Sequence, residues 1–227
     1  MSKNVKKEEN LKAVGEALSK GEKFLAENRT KIIKTLIAVV IVVIAILGYK
    51  YLIDKPRENA AQEQMAAAQR YFEIDSLNLA LNGDGVNLGF NEIIDEYGST
   101  SAGRLARFYA GFCNLHLGNF EEAVSLLKAF NGNDEILQAR AYCGMGDAYT
   151  ELEQYDNAAL YFMKAANYRE NDFSAAYLMK AGLIYEQSGK YDEALEAYKK
   201  IKTHYNKTTE AQEIDKYIER VEIKQLN

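Results

Sequence analysis

A chain of 227 residues with one proline, no tryptophan and 48% apolar residues has room for one domain plus an anchor, and so little proline argues for helices joined by short connections. The net charge of −5 is divided unequally: residues 1–53 carry ten Lys/Arg against five Asp/Glu, giving +5, and residues 54–227 carry eighteen against twenty-eight, giving −10. The acidic part is a poor match for nucleic acid, whose binding rests on basic side chains neutralising phosphates.

Residues 1–31 form a basic tail. Leu11, Val14, Leu18 and Leu25 recur there at helical spacing with Phe24 beside them, which suits a short helix on a membrane surface or a loose terminal segment. Residues 32–53 are the expected transmembrane helix. Leu36 to Leu47 reads LIAVVIVVIAIL without a polar residue. The 22 residues from Ile32 to Ile53 span about 33 Å as a helix, matching a ~30 Å hydrocarbon core. Ten of residues 36–47 are Leu, Ile or Val, so insertion gains about 3–6 kcal/mol. Lys34 and Lys50 can snorkel to the headgroups, and Tyr49 and Tyr51 suit the interface. A buried soluble helix is rarely apolar on every face, and GYKYLIDKP after Leu47 does not read as a signal-peptide cleavage site. Basic residues are more numerous before the span than after it, which favours a cytoplasmic N-terminus and a large domain outside the cytoplasm.

After Pro56 nearly everything reads as helix, so the expected fold class is all-α. Residues 54–100 are assigned to a linker helix and a degenerate first repeat: one helix from Ala60 to about Leu81, a turn at Asn82-Gly83-Asp84-Gly85, and a second helix from Asn87 to Tyr97. Residues 101–206 hold three aligned units. Gly111, Gly146 and Gly182 lie 35 and 36 residues apart, and Ala123, Ala158 and Ala194 repeat at the same spacing. That period marks stacked helix pairs. Glycine is a poor helix former, so its registered recurrence calls for close packing; the expectation is that each glycine faces the alanine twelve residues on. Phe120, Tyr155 and Tyr191 then fill the turns, and Leu127, Phe162 and Tyr198 pack the second helices. In residues 207–227, Ala211, Ile214, Ile218 and Val221 form one apolar stripe with Lys216, Arg220 and Lys224 outward, the pattern of a solubilising cap helix.

The glycine–alanine register over about residues 104–206 resembles the tetratricopeptide repeat (TPR). It departs from it in lacking the proline that usually ends each unit, and in placing Arg107 where a large apolar residue is usual. The whole arrangement, with Phe24-Leu25-Ala26-Glu27-Asn28 in a basic tail, one span and an acidic repeat domain, is similar to the YfgM-type ancillary subunits of the bacterial Sec translocon. The LALNGDGVNLGF and IIDEYGSTSAG stretches resemble TPR proteins common in Bacteroidetes. The resemblance implies a bacterial inner-membrane protein with a periplasmic domain, working beside the translocon or a periplasmic chaperone.

Catalytic chemistry is not expected. His116 and His204 are far apart with no metal-ligand pattern, and no glycine loop is built for phosphate. Paired acids such as Glu121-Glu122, Asp134-Glu135 and Asp192-Glu193 suit helix starts. Cys113 and Cys143 read as buried free thiols. No cofactor, metal or small-molecule substrate is expected. The candidate site is the concave groove that first helices line in a TPR stack: Leu105, Phe108, Phe112 and Leu115 from the first unit, Arg140, Cys143 and Asp147 from the second, Met179 and Leu183 from the third. Because Phe108 and Phe112 cannot both share a tight seam with Gly111, at least one is expected to face the groove. The expected function is a membrane-tethered scaffold that takes a partner protein or unfolded segment there. The alternative is a structural organiser of another envelope assembly, in outer-membrane or cell-wall machinery.

Overall fold

The computed structural model describes residues 2–226, and side chains before Leu25 only in part. Its elements are all helical, with no strand among the described residues. The chain divides into two compact units, residues 1–56 and 57–227.

The first unit contains α1 (Ser2–Tyr49) and a π-helical stretch at Lys50–Asp54. The tail is therefore helical from Ser2 onward; the side chains of Leu11, Val14 and Leu18 lie outside the described residues. From Leu36 to Leu47 every residue is exposed, and the mean hydropathy of the apolar window is 2.7. Water would not tolerate such a face all round a helix, whereas a hydrocarbon core satisfies it. Among the described residues there is thus one helix long and apolar enough to cross a membrane.

The second unit runs α2 (Lys55–Glu73, whose first turn crosses the unit boundary), α3 (Leu77–Asn82), α4 (Phe90–Tyr97), α5 (Ser101–His116), α6 (Phe120–Ala129), α7 (Glu135–Glu151), α8 (Tyr155–Asn167), α9 (Ser174–Gln187), α10 (Tyr191–His204), α11 (Thr209–Gln212) and α12 (Ile214–Gln225). Two of the expected boundaries move. The helix expected from Ala60 to Leu81 breaks after Glu73, where Asp75 turns left-handed at φ 59°, and the next helix starts at Phe90 rather than Asn87. Asp84 explains the later start. Its Oδ1 accepts from Val86 N and Asn87 N at 2.8 and 2.6 Å, and its Oδ2 accepts from the Tyr71 hydroxyl at 2.7 Å. Those backbone donors are spent on the turn and are not free to begin a helix.

From α5 onward each first helix packs on a second helix, and the next pair stacks on it. Thr100 caps α5 through Gly103 N, and Asp134 caps α7 by accepting from Ile136 N and Leu137 N, both at 2.9 Å. The core runs through the stack: Leu127, Phe162 and Tyr198 are at most 1% exposed, and Ala123, Ala158 and Ala194 are fully buried. The nearest neighbours of the registered glycines, however, are not those alanines. A Cβ on Gly111 would lie 2.6 Å from the Leu127 side chain, one on Gly146 would lie 2.6 Å from the Phe162 ring, and one on Gly182 would strike the Tyr198 ring. Each glycine is the socket for the large side chain sixteen residues on. The missing Cβ admits a bulky knob rather than a bare backbone, which is ridge-into-groove packing with one ridge removed.

At the C-terminal end α12 covers α10, with Ile214, Ile218 and Val221 buried as the stripe implied. Its basic residues are not all outward. Arg220 and Lys224 fold back onto Glu186, a buried carboxylate of α9. Arg220 donates from Nε and Nη2 at 2.8 and 2.6 Å, Lys224 donates at 2.9 Å, and the Tyr198 hydroxyl donates at 3.3 Å.

Candidate partner-binding surface

The first helices α5, α7 and α9 carry all the expected groove residues, and the structure divides that set in two. Phe108 and Phe112 are 5% and 8% exposed. Their rings lie 4.8 Å apart, and Phe108 is 5.2 Å from Phe130 at the end of α6. Leu127, Ala141 and Met145 complete that cluster, and Leu105 and Leu115 pack half-buried against it. Neither phenylalanine is offered to a partner, contrary to the expectation from their angles. The physical reason is the neighbouring pair: α7 stacks on α5 and covers what one unit alone would leave open. Gly144 makes the room, since a Cβ there would lie 2.9 Å from the Phe112 ring. Gly144 stands outside the repeat register, and for that reason the sequence pattern did not single it out.

The remaining residues form a surface. Arg140 is exposed and its guanidinium lies 5.5 Å from the centre of the Phe112 ring, a cation–π contact that orients it. Cys143 is 8% exposed, with Sγ 3.8 Å from Asp147 Oδ2. Asp147 accepts from Lys180 Nζ at 2.6 Å across the unit boundary. Met179 is half-buried, and Leu183 is 40% exposed. Burial first, then the Asp147 charge, pushes the Cys143 thiol up to about 12. Cys113 is likewise pushed up to about 12 by burial. Both are free and uncharged at neutral pH, the state of an inert core thiol. Burial pulls Lys180 down, but Cys143 and the hydrogen bond to Asp147 outweigh it and hold the ammonium above its ordinary value.

Several neighbouring residues had not been named from sequence. Tyr177 is buried, and its phenol is pushed up to about 12 by burial, with Cys143 and Arg140 as further influences. Phe173 contacts Tyr177 at 6.5 Å between ring centres and is 50% exposed; Ile136, one turn before Arg140, is 49% exposed. The Asp147–Lys180 pair, 33 residues apart, was the available signal: opposite charges almost one repeat apart fall on adjacent first helices. No group of three or more His, Cys, Asp or Glu side chains is placed to hold a metal among the described residues.

Stacked helix pairs with registered glycine sockets and a mixed apolar and charged inner surface define an all-helical repeat scaffold, a class that works by binding proteins. Within that class, the chain belongs to the tetratricopeptide repeat-like domain family, whose model matches residues 22–222. Among solved structures it is similar to one described as the apo form of RapI, with a TM-score of 0.58 and 17% identity over 81% of this chain and 53% of that one. The chain therefore spans about half the length of RapI, and at that identity the likeness is one of fold. No curated protein matches it.

Proposed function

We propose that this protein is a membrane-tethered adaptor, held by residues 32–53 in a bacterial inner membrane with its N-terminus in the cytoplasm and its repeat domain in the periplasm, and that it takes a segment of a partner protein on the inner surface of α7 and α9. Arg140 carries this reading. It is an exposed cation with no carboxylate partner among the described residues, in a domain whose charge is strongly negative. Ile136 stands one turn before it on α7, and Phe173 and Leu183, at the start of α9 and along it, are also exposed. A segment pairing an acidic group with apolar side chains satisfies both features, and apolar exposure of this kind marks a partner surface. Tethering raises the effective concentration toward partners in or beside the membrane. The similarity to YfgM-type subunits makes the Sec translocon or a periplasmic chaperone the first partner to test.

A photo-crosslinking residue at Leu183 tests the surface in native membranes, with one at Glu196, exposed on a second helix, as control. Adducts at 183 but not 196 that contain translocon subunits or a chaperone support the reading. Adducts with outer-membrane or cell-wall assembly factors move the protein to the organiser role, and equal capture at both positions removes the surface. Topology is read separately with an impermeant thiol reagent on intact spheroplasts. In a background without Cys113 and Cys143, a cysteine replacing Asn133 should label and one replacing Ser2 should not. The reverse pattern inverts the protein, and an intact mass lacking the first residues identifies a removed signal sequence instead of an anchor.

A further inference from the structure

A second site lies on the other side of α7. The ends of α6 and α8 and α7 from Gln138 to Met145 line an open cavity of about 430 Å³, and a neighbouring one of about 440 Å³ shares Tyr142, Lys164 and Tyr168 with it. Gln138, Tyr142 and Met145 line the first cavity from one face of α7. Tyr142 stands about 160° around the helix from Arg140, at ~100° per residue. The cavity is therefore separate from the inner surface described above.

Its lining is cationic and polar over an apolar floor. No Asp or Glu lines either cavity. Lys128 and Lys164 both line the first, and neither has a carboxylate partner among the described residues, so two uncompensated positive charges share one cavity. Lys164 is held over the Tyr161 ring at 4.6 Å, and Tyr142 meets Tyr168 edge-on at 5.5 Å. Gln138 is only 6% exposed, and its Oε1 accepts from Gly132 N at 3.2 Å; its Nε2 donates to nothing among the described residues. The lysines fall in the last turns of α6 and α8, where a helix end favours positive charge. That preference accounts for the lysines alone. It does not account for a largely buried glutamine whose amide nitrogen has no protein partner among the described residues and opens onto a cavity without acids.

We propose that this cavity binds a carboxylate carried on an apolar body: an acidic side chain beside an apolar residue, in a segment of a partner protein. The two ammonium groups and Gln138 Nε2 donate to the carboxylate with charge assistance. Leu127, Phe130 and Met145 supply an apolar floor, and the tyrosines supply rigid amphipathic walls. The volume lies within the roughly 300–1,000 Å³ usual for small-ligand pockets, enough for one or two side chains rather than a long peptide. The site stands independently of the Arg140 surface, and variants at either can be tested without touching the other.

The test uses the full chain in mild detergent and the capped peptide acetyl-Ala-Phe-Glu-Phe-Ala-amide. Binding is followed by calorimetry, and lysine acylation read by mass spectrometry locates it. The peptide should protect Lys128 and Lys164 but not the exposed Lys207, and the glutamine version of the peptide should bind about tenfold more weakly, the scale of one charge-assisted hydrogen bond. Lys128→Gln with Lys164→Gln, both exposed positions, should weaken binding at least as much while leaving the melting temperature unchanged; Arg140→Gln should leave binding intact. Equal binding of the glutamine peptide, equal protection of Lys207, or protection by acetate alone at the same concentration would overturn the proposal, as would protection by anionic lipid vesicles and not by the peptide.

Discussion

Glu186 is the only charged side chain buried among the described residues of the repeat domain, and removing its partners should reverse the sign of a pH dependence. Its carboxyl is 7% exposed, while Arg220 and Lys224 are 46% and 47% exposed. Burial alone would push Glu186 up; the bonds from Arg220 and Lys224 outweigh it and hold the carboxyl below its ordinary value of 4.5. In the native protein the group therefore contributes stability above pH 4.5, and that contribution is lost as pH falls through the lower folded value. Replacing Arg220 and Lys224 by Met leaves the carboxylate with only the Tyr198 hydroxyl. Breaking a fully buried pair costs about 3–5 kcal/mol; with both cations half in water, part of their attraction is already screened, and about 2–3 kcal/mol is expected here. For a chain of this size that is a fall of roughly 4–12 °C in melting temperature. With the cations gone, burial dominates, the folded pKa rises above 4.5 and the neutral form is favoured. The double variant should then regain stability relative to the native chain as pH falls from 7 toward 5, where the native chain is still unaffected. Thermal melts of the full chain in detergent, followed by circular dichroism at pH 7, 6 and 5, read this directly. If the gap between variant and native chain is constant over that range, Glu186 is not desolvated and α12 does not dock as described.

Phe108→Ser combined with Phe112→Ser should destabilise the repeat domain by more than 3 kcal/mol, the lower end of about 3–5 kcal/mol for emptying one buried phenylalanine site; an unchanged chemical-denaturation midpoint would return those rings to the groove. Gly146→Leu should cost roughly 1–3 kcal/mol or more through overpacking against Phe162, while Asp156→Ala, whose side chain is 82% exposed in its ion pair with Lys190, should change stability by less than about 1 kcal/mol; equal melts for the two would put the socket elsewhere. Glu153 holds a left-handed conformation at φ 57°, where the aligned positions of the neighbouring units carry Gly118 and Gly189 at φ 82° and 72°. Glu153→Gly should therefore raise stability by up to about 1 kcal/mol, and a destabilised variant would show that the glutamate side chain contributes more than its backbone strain costs.

Much of this protein is legible from a single strand of letters because its order is one-dimensional. The run from Leu36 to Leu47 has no polar residue to place, so its preference for a membrane needs no neighbour to decide it. Gly111, Gly146 and Gly182 recur with the large residues that fill them because each unit solves the same packing problem with the same local geometry. The acidic residues at helix starts and the Asp134 cap follow from backbone donors within three residues.

What needed the tertiary structure is what one unit does to the next. Phe108 and Phe112 look free when their own helix is read alone, and only Phe130 at the end of α6 together with α7, relieved at Gly144, turns them into core. Arg220 and Lys224 read as solvated because nothing in their own helix opposes them; a carboxylate 34 and 38 residues earlier draws them in. Asp84 takes the backbone donors that helical periodicity would have assigned to an earlier start of α4. In each case the deciding partner lies about one repeat away or in a turn, beyond the reach of a pattern counted along one helix. Arg140, Lys128 and Lys164 are left by the stacking without a carboxylate partner among the described residues, which no count along one helix could have shown.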